Sequence, residues 1–228
     1  MIAKFFKTVI GILLIPIAIG TAKAFYSGIA GISIISGTLN LLERGVLAYL
    51  IFHVIILRPV YLYVLAHELV HVIATWLCGG RVVSFSVTPS GGNVVTSKTN
   101  FFIELSPYFV PLYTILLGVT FLVMRAMNQS FPHMSLIFIF LVGFTLAFHF
   151  VMTSEVLRIE QPDIMKSGFI FSLVLILVGN LVITMAVFSP VFDLSFVSFL
   201  KTSMAESVNI YQTAYTNTSE FVNTNKFW

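Results

Sequence analysis

Long, nearly uninterrupted apolar runs constrain this chain more than any other feature. A run of about 18 or more apolar residues is long enough to cross the hydrocarbon of a bilayer. A soluble domain would have to bury such runs under a polar surface, and about a quarter of its residues would normally be charged. Here 58% of 228 residues are hydrophobic and only 9% are charged, too few to solvate a globule of this size. The apolar surplus therefore faces lipid. The expected fold is an all-α, polytopic membrane protein with about six transmembrane helices, seated in the lipid bilayer as an integral, multi-pass chain. The net charge of +3 is spread thinly, with no Lys/Arg run, so no nucleic-acid partner is expected. The single cysteine, Cys78, excludes a disulfide framework and a cysteine-rich metal site. Flanked by apolar residues, it reads as an inert small hydrophobe.

Residues 1–58 read as N-terminal transmembrane segments. Lys4 and Lys7 precede an apolar stretch over residues 8–22, and Ala22-Lys23-Ala24 has the look of a signal-peptide cleavage site. Apolar character resumes at Phe25 and runs to Leu42, which favours an uncleaved first span. Gly28, Gly31 and Gly37 leave residues 24–42 weakly specified. A second span covers residues 45–57. Pro59 then suits the first turn of a third span over residues 60–78, which Gly79-Gly80 would close. Residues 81–98 alternate in character about Pro89-Ser90-Gly91-Gly92, the pattern of a β-hairpin. Its strands are too short to span, and an open sheet edge cannot face lipid. The hairpin is therefore membrane-associated, lying in protein, at the interface or in water. Further spans are expected over residues 101–123, 133–156 and 167–188, with a polar loop at 158–166. The organisation expected is thus 1–58, a core at 59–188, and a polar or interfacial tail at 189–228.

Within the third span stands His67-Glu68-Leu69-Val70-His71. Residues i and i+4 of a helix share one face, so both imidazoles can reach one tetrahedral Zn²⁺ at about 2.0–2.1 Å. Glu68 sits beside the metal rather than on it, where it can take a proton from water and pass it to a leaving amine. Three ionisable side chains in mid-span are costly, and such residues mark function by default. The bland alternative is a polar cluster that hydrogen-bonds neighbouring helices.

A catalytic zinc usually takes three protein ligands. The chain has two aspartates, Asp163 and Asp193. If the fourth span crosses away and the fifth returns, the 158–166 loop comes back to the side where the third span ends. His71 lies roughly 10 Å below that end at 1.5 Å per residue, so Asp163 can dip to its depth while Asp193 falls on the far side. Asp163 is the expected third ligand. His149 and Glu155 are the rivals, His149 also reading as a packing histidine or one that orients a ligand through its other ring nitrogen. Glu104, at a span's first turn, reads as a carboxylate favoured by the helix dipole. His53 and His133 read as packing or interfacial residues. Asn128-Gln-Ser and Asn217-Thr-Ser match glycosylation acceptors.

With such a motif inside a span, the chain resembles the site-2 protease group of M50-type intramembrane metallopeptidases. The resemblance covers about residues 60–188. It rests on the His67–His71 motif, on Gly79-Gly80-Arg81-Val82 after it, on Pro89-Ser90-Gly91-Gly92, and on Gln161-Pro162-Asp163 before a later span. Two features depart from the family: Ile164 stands where a Gly usually follows the Asp, and Ser106-Pro107-Tyr108-Phe109-Val110-Pro111 replaces a Gly-Pro and Asn pattern. The resemblance implies a three-span catalytic core with a hairpin, a Zn²⁺ cofactor and a transmembrane protein substrate cut in or near the bilayer. Asn93 and Asn180 are candidate oxyanion or substrate contacts. The hairpin edge is a candidate to hold an unwound substrate by strand addition. With no PDZ or CBS module in the chain, substrate filtering would fall to the hairpin, the extra N-terminal spans, or a membrane adaptor or regulator. The rival functions are a catalytically inactive membrane scaffold, against which an intact Glu68 argues, and a zinc transporter, which would need more polar residues along its spans.

Overall fold

The computed structural model describes residues 2–30, 32, 37–56, 58–88, 90–127, 134–159 and 161–224. Among them are five helices long and apolar enough to cross a membrane, up to six if one bent pair counts as a span, and one two-stranded antiparallel sheet. Pro89 of the expected turn, the acceptor at Asn128 and His133 lie outside the described residues. The chain divides into two compact units, residues 1–31 with 168–228, and residues 32–167. This differs from the division expected at residues 58 and 188.

The first unit holds α1 (Ile2–Leu13), α2 (Ile15–Ala30), α9 (Phe169–Phe192) and α10 (Phe196–Thr224). α1 and α2 together provide one apolar run, Phe5–Ala30, so of the weakly specified segment residues 24–30 end this run and residues 37–42 begin another helix. The expected polar tail is a helix of 29 residues laid antiparallel along α2. Small residues allow the approach: a Cβ at Gly20 would lie 2.8 Å from Ser207 Cα. Thr21 and Ser203 share a hydrogen bond of 2.8 Å, and Lys23 pairs with Glu206 at 3.5 Å. Apolar burial of Ala24, Met185 and Phe199 fills the space beside them.

The second unit carries the motif. α3 (Gly37–Ile51) continues as a π-helical turn, Phe52–Ile56, and runs parallel to α7 (Met134–Leu157). Gly45 meets the Phe140 carbonyl and Gly143 the Leu42 carbonyl, so each helix presents a glycine where the other's backbone comes closest. α4 (Val60–Leu77) follows Pro59 and stops at Gly79, whose φ of +67° is the left-handed conformation glycine tolerates best. The Gly80 N–H donates to the Thr75 carbonyl at 2.8 Å, satisfying one of the helix's last carbonyls.

β1 (Val82–Thr88) and β2 (Gly91–Thr96) form the hairpin, with Val87 opposite Gly92 and Ser86 opposite Asn93. The Thr88 hydroxyl donates to the Gly91 carbonyl at 2.8 Å and closes the turn. Next come α5 (Phe101–Leu105), a 3₁₀ turn at Ser106–Tyr108, and α6 (Leu112–Ala126), with α5 and α6 bent by 79°. Pro107 and Pro111 withhold N–H groups at this break, so no continuous helix can cross it.

That bend gives residues 101–167 a different route from the one expected from sequence. Residues 103–113 run antiparallel to α4, as contacts of Ile103 with His71 and of Tyr113 with Leu62 record. α6 then lies antiparallel to α7, pairing Thr114 with Thr145 and stacking Phe121 on Phe138. α7 therefore ends beside the start of α4, where Tyr63 donates to Thr153 at 3.2 Å and Arg58 lies 3.8 Å from Glu155. Residue 163 reaches the motif from the opposite end of α4 to the one expected, carried by a short helix, α8 (Pro162–Ser167).

Candidate metal centre

α4 brings the two imidazoles together by its periodicity alone, with His67 and His71 ring centroids 4.9 Å apart. α8 supplies the third group: one ligand atom each from His67, His71 and Asp163 lie within 4.8 Å of one another. Asp163 Oδ2 stands 3.5 Å from His71 Nε2 and 3.9 Å from His67 Nε2. Such separations are long for hydrogen bonds. They are close to the edge of a tetrahedron around an ion with bonds of about 2.05 Å, which works out to about 3.3 Å. Two imidazoles and one carboxylate in this arrangement form a group that could hold a metal ion.

Neighbouring groups orient His71 and Asp163. A backbone carbonyl can only accept, so the His71 contact with the Ile103 oxygen at 2.7 Å puts a proton on Nδ1 and leaves Nε2 as the ring nitrogen facing Asp163. Ile103 is held in turn by the Asn100 cap of α5, whose side chain accepts from the Ile103 N–H at 2.9 Å. The Tyr108 hydroxyl donates to Asp163 Oδ2 at 3.4 Å, and its fully buried ring stands edge-on to His67 at 5.1 Å. Burial raises the Asp163 carboxyl, but the two imidazoles opposite outweigh it and hold the group below the usual carboxylate range.

Glu68 is 8% exposed and turns toward the hairpin rather than joining the cluster. Gly92 sits against it: a Cβ there would lie 2.7 Å from Glu68 Oε1. Beside the cluster opens a cavity of about 520 Å³ whose wall includes His67, Glu68, His71, Asp163, Glu104 and the β2 backbone from Gly92 to Thr96.

The other expected residues separate cleanly. His149 is not one of the clustered ligands. It lines a small cavity of about 10 Å³ together with His67, whose buried Nδ1 has no hydrogen-bond partner among the described residues. Glu155 is taken up elsewhere, by His53 at 3.2 Å and Arg58 at 3.8 Å, and Tyr49 bonds the other His53 nitrogen at 3.0 Å. Asn93 lines the large cavity. Asn180 belongs to the other compact unit, where its amide donates to the Ile176 carbonyl of its own helix at 2.9 Å. Ile103 was not singled out from sequence, Tyr108 stood there only in a run that departs from the family pattern, Gly92 only as part of the hairpin turn, and Glu104 only as a carboxylate favoured by a helix dipole.

No family model matches this chain, and neither a curated protein nor a solved structure does.

Proposed function

We propose that this chain is an integral, multi-pass intramembrane zinc metallopeptidase of site-2 protease type, hydrolysing peptide bonds of transmembrane protein substrates. The observation that carries the reading is the convergence of His67, His71 and Asp163, from two elements far apart in sequence, into a group that could hold a metal ion. His67 Nε2, His71 Nε2 and Asp163 Oδ2 would hold it. A bound zinc ion supplies a Lewis acid that polarises a peptide carbonyl and makes water acidic near neutral pH.

The chain's own groups do the rest. Glu68, one residue after the first histidine, is the base, taking a proton onto its carboxylate and delivering it to the departing amide nitrogen. Its enclosure against Gly92 limits its rotation, and it lines the same cavity as the three proposed ligands. Asn93 lines the same cavity and offers an amide N–H to a developing oxyanion. The cavity volume of about 520 Å³ suits an extended peptide segment rather than an intact helix, so the substrate unwinds locally before it is cut.

The test begins with zinc content, by elemental analysis, of detergent-purified wild type, His67→Ala and Asp163→Ala. Near-stoichiometric zinc in the wild type, lost in both variants, is the expected result. Glu68→Gln should keep the metal and lose cleavage of a co-expressed transmembrane substrate. Folded wild type without zinc would sink the proposal. Zinc retained by Asp163→Ala would remove the third ligand.

A further inference from the structure

Glu104 is a buried carboxylate in the cavity wall that the chemistry above does not use. It is 9% exposed, and both of its oxygens are engaged. The Thr99 hydroxyl donates to Oε1 at 3.0 Å, and the fully buried Ser167 hydroxyl donates to Oε2. A favourable helix dipole does not account for this. α5 has only five residues, and a dipole favours an exposed acid at its first turn just as well. Burying a carboxylate is costly unless hydrogen bonds compensate, and the donors here come from two different segments.

Those two segments both hold the metal centre. Residue 104 follows Ile103, whose carbonyl sets the proton on His71. Ser167 lies one turn after Asp163 on α8, a helix too short to hold its own orientation. We propose that Glu104 is a positioning residue, its bond to Ser167 fastening the segment that orients His71 to the helix that carries Asp163. The inference rests on the reading of the cluster as a metal site and adds a residue to it.

Groups that orient metal ligands typically contribute roughly 10- to 100-fold in metal affinity. The experiment measures zinc affinity of the detergent-purified full chain by competition with a coloured zinc indicator. Wild type, Glu104→Ala, Glu104→Gln, Ser167→Ala and the double alanine variant are compared. Each single alanine substitution should weaken zinc binding roughly 10- to 100-fold. The double variant should be no weaker than the worse single one, because both remove the same link. Glu104→Gln, which keeps one acceptor oxygen, should recover part of the loss.

General loss of packing is separated by Thr21→Val, which breaks a hydroxyl pair with Ser203 in the other compact unit. That variant should lower thermal stability and leave zinc affinity unchanged. If Glu104→Ala does not fold, Ser167→Ala removes a single hydroxyl and carries the same test. Wild-type affinity in Ser167→Ala and Glu104→Gln, or additive losses in the double variant, would overturn the proposal. Wild type that binds no zinc would instead overturn the metal reading on which it stands.

Discussion

Replacing Gly92 with alanine tests whether the hairpin holds Glu68, the proposed base, in place. The added Cβ would lie 2.7 Å from Glu68 Oε1 and 2.8 Å from Glu68 Cδ. Non-bonded carbon atoms settle at about 3.5–4.0 Å, so the carboxylate has to retreat by about 1 Å. A displacement of that size at a reacting group costs on the order of 10²-fold in rate, or about 2.7 kcal/mol in the barrier at 1.36 kcal/mol per tenfold. The proposed metal ligands come from α4 and α8 and do not depend on Gly92, so zinc content should stay at the wild-type level. The assay is cleavage of a co-expressed transmembrane reporter, quantified by blot, with elemental analysis of the same purified variants. Gly118→Ala is the control, since a Cβ there meets nothing within 4 Å. Cleavage by Gly92→Ala equal to that of Gly118→Ala would refute the reasoning, because it would mean that the hairpin yields and the base stays put.

Two further substitutions probe the surroundings. Tyr108→Phe removes the hydroxyl that donates to Asp163 Oδ2 and keeps the buried ring, so zinc affinity should fall by about 10-fold with the thermal midpoint little changed; unchanged affinity in an indicator titration would show that the phenol does not steady the ligand. Gly143→Leu drives a side chain into the Leu42 carbonyl where α3 and α7 meet, and should cost about 1–3 kcal/mol or more as overpacking. Thermal unfolding in detergent reads this directly, and a midpoint equal to wild type would contradict the close helix contact.

His67, Glu68 and His71 were legible in the sequence because their relation is local. Four residues of helix place both imidazoles on one face whatever else the chain does. The apolar spans, the end of α4 at Gly79 and the hairpin about Gly91-Gly92 were legible for the same reason, since lipid exposure, a left-handed glycine and a turn each depend on a few neighbouring residues. Asp163 was chosen by counting crossings, and the route proved different. Pro107 and Pro111 break residues 101–126 into a pair bent by 79°, so α7 returns beside the start of α4. α8 then carries the same aspartate to the cluster from the other end. The tail after residue 189 read as polar and loose because its apolar content is low, yet hydroxyls and a glycine let it pack closely along α2.

What the sequence determined by itself was therefore membrane character, the helices and hairpin, and the two histidines with their glutamate. Only the tertiary structure decided that Ile103 orients His71, that Glu104 links α5 to α8, and that Glu155 is occupied by His53 and Arg58 and not by the cluster. Periodicity records which face a residue occupies on its own element. Which other element meets that face depends on how bends and small-residue contacts pack segments that lie far apart along the chain.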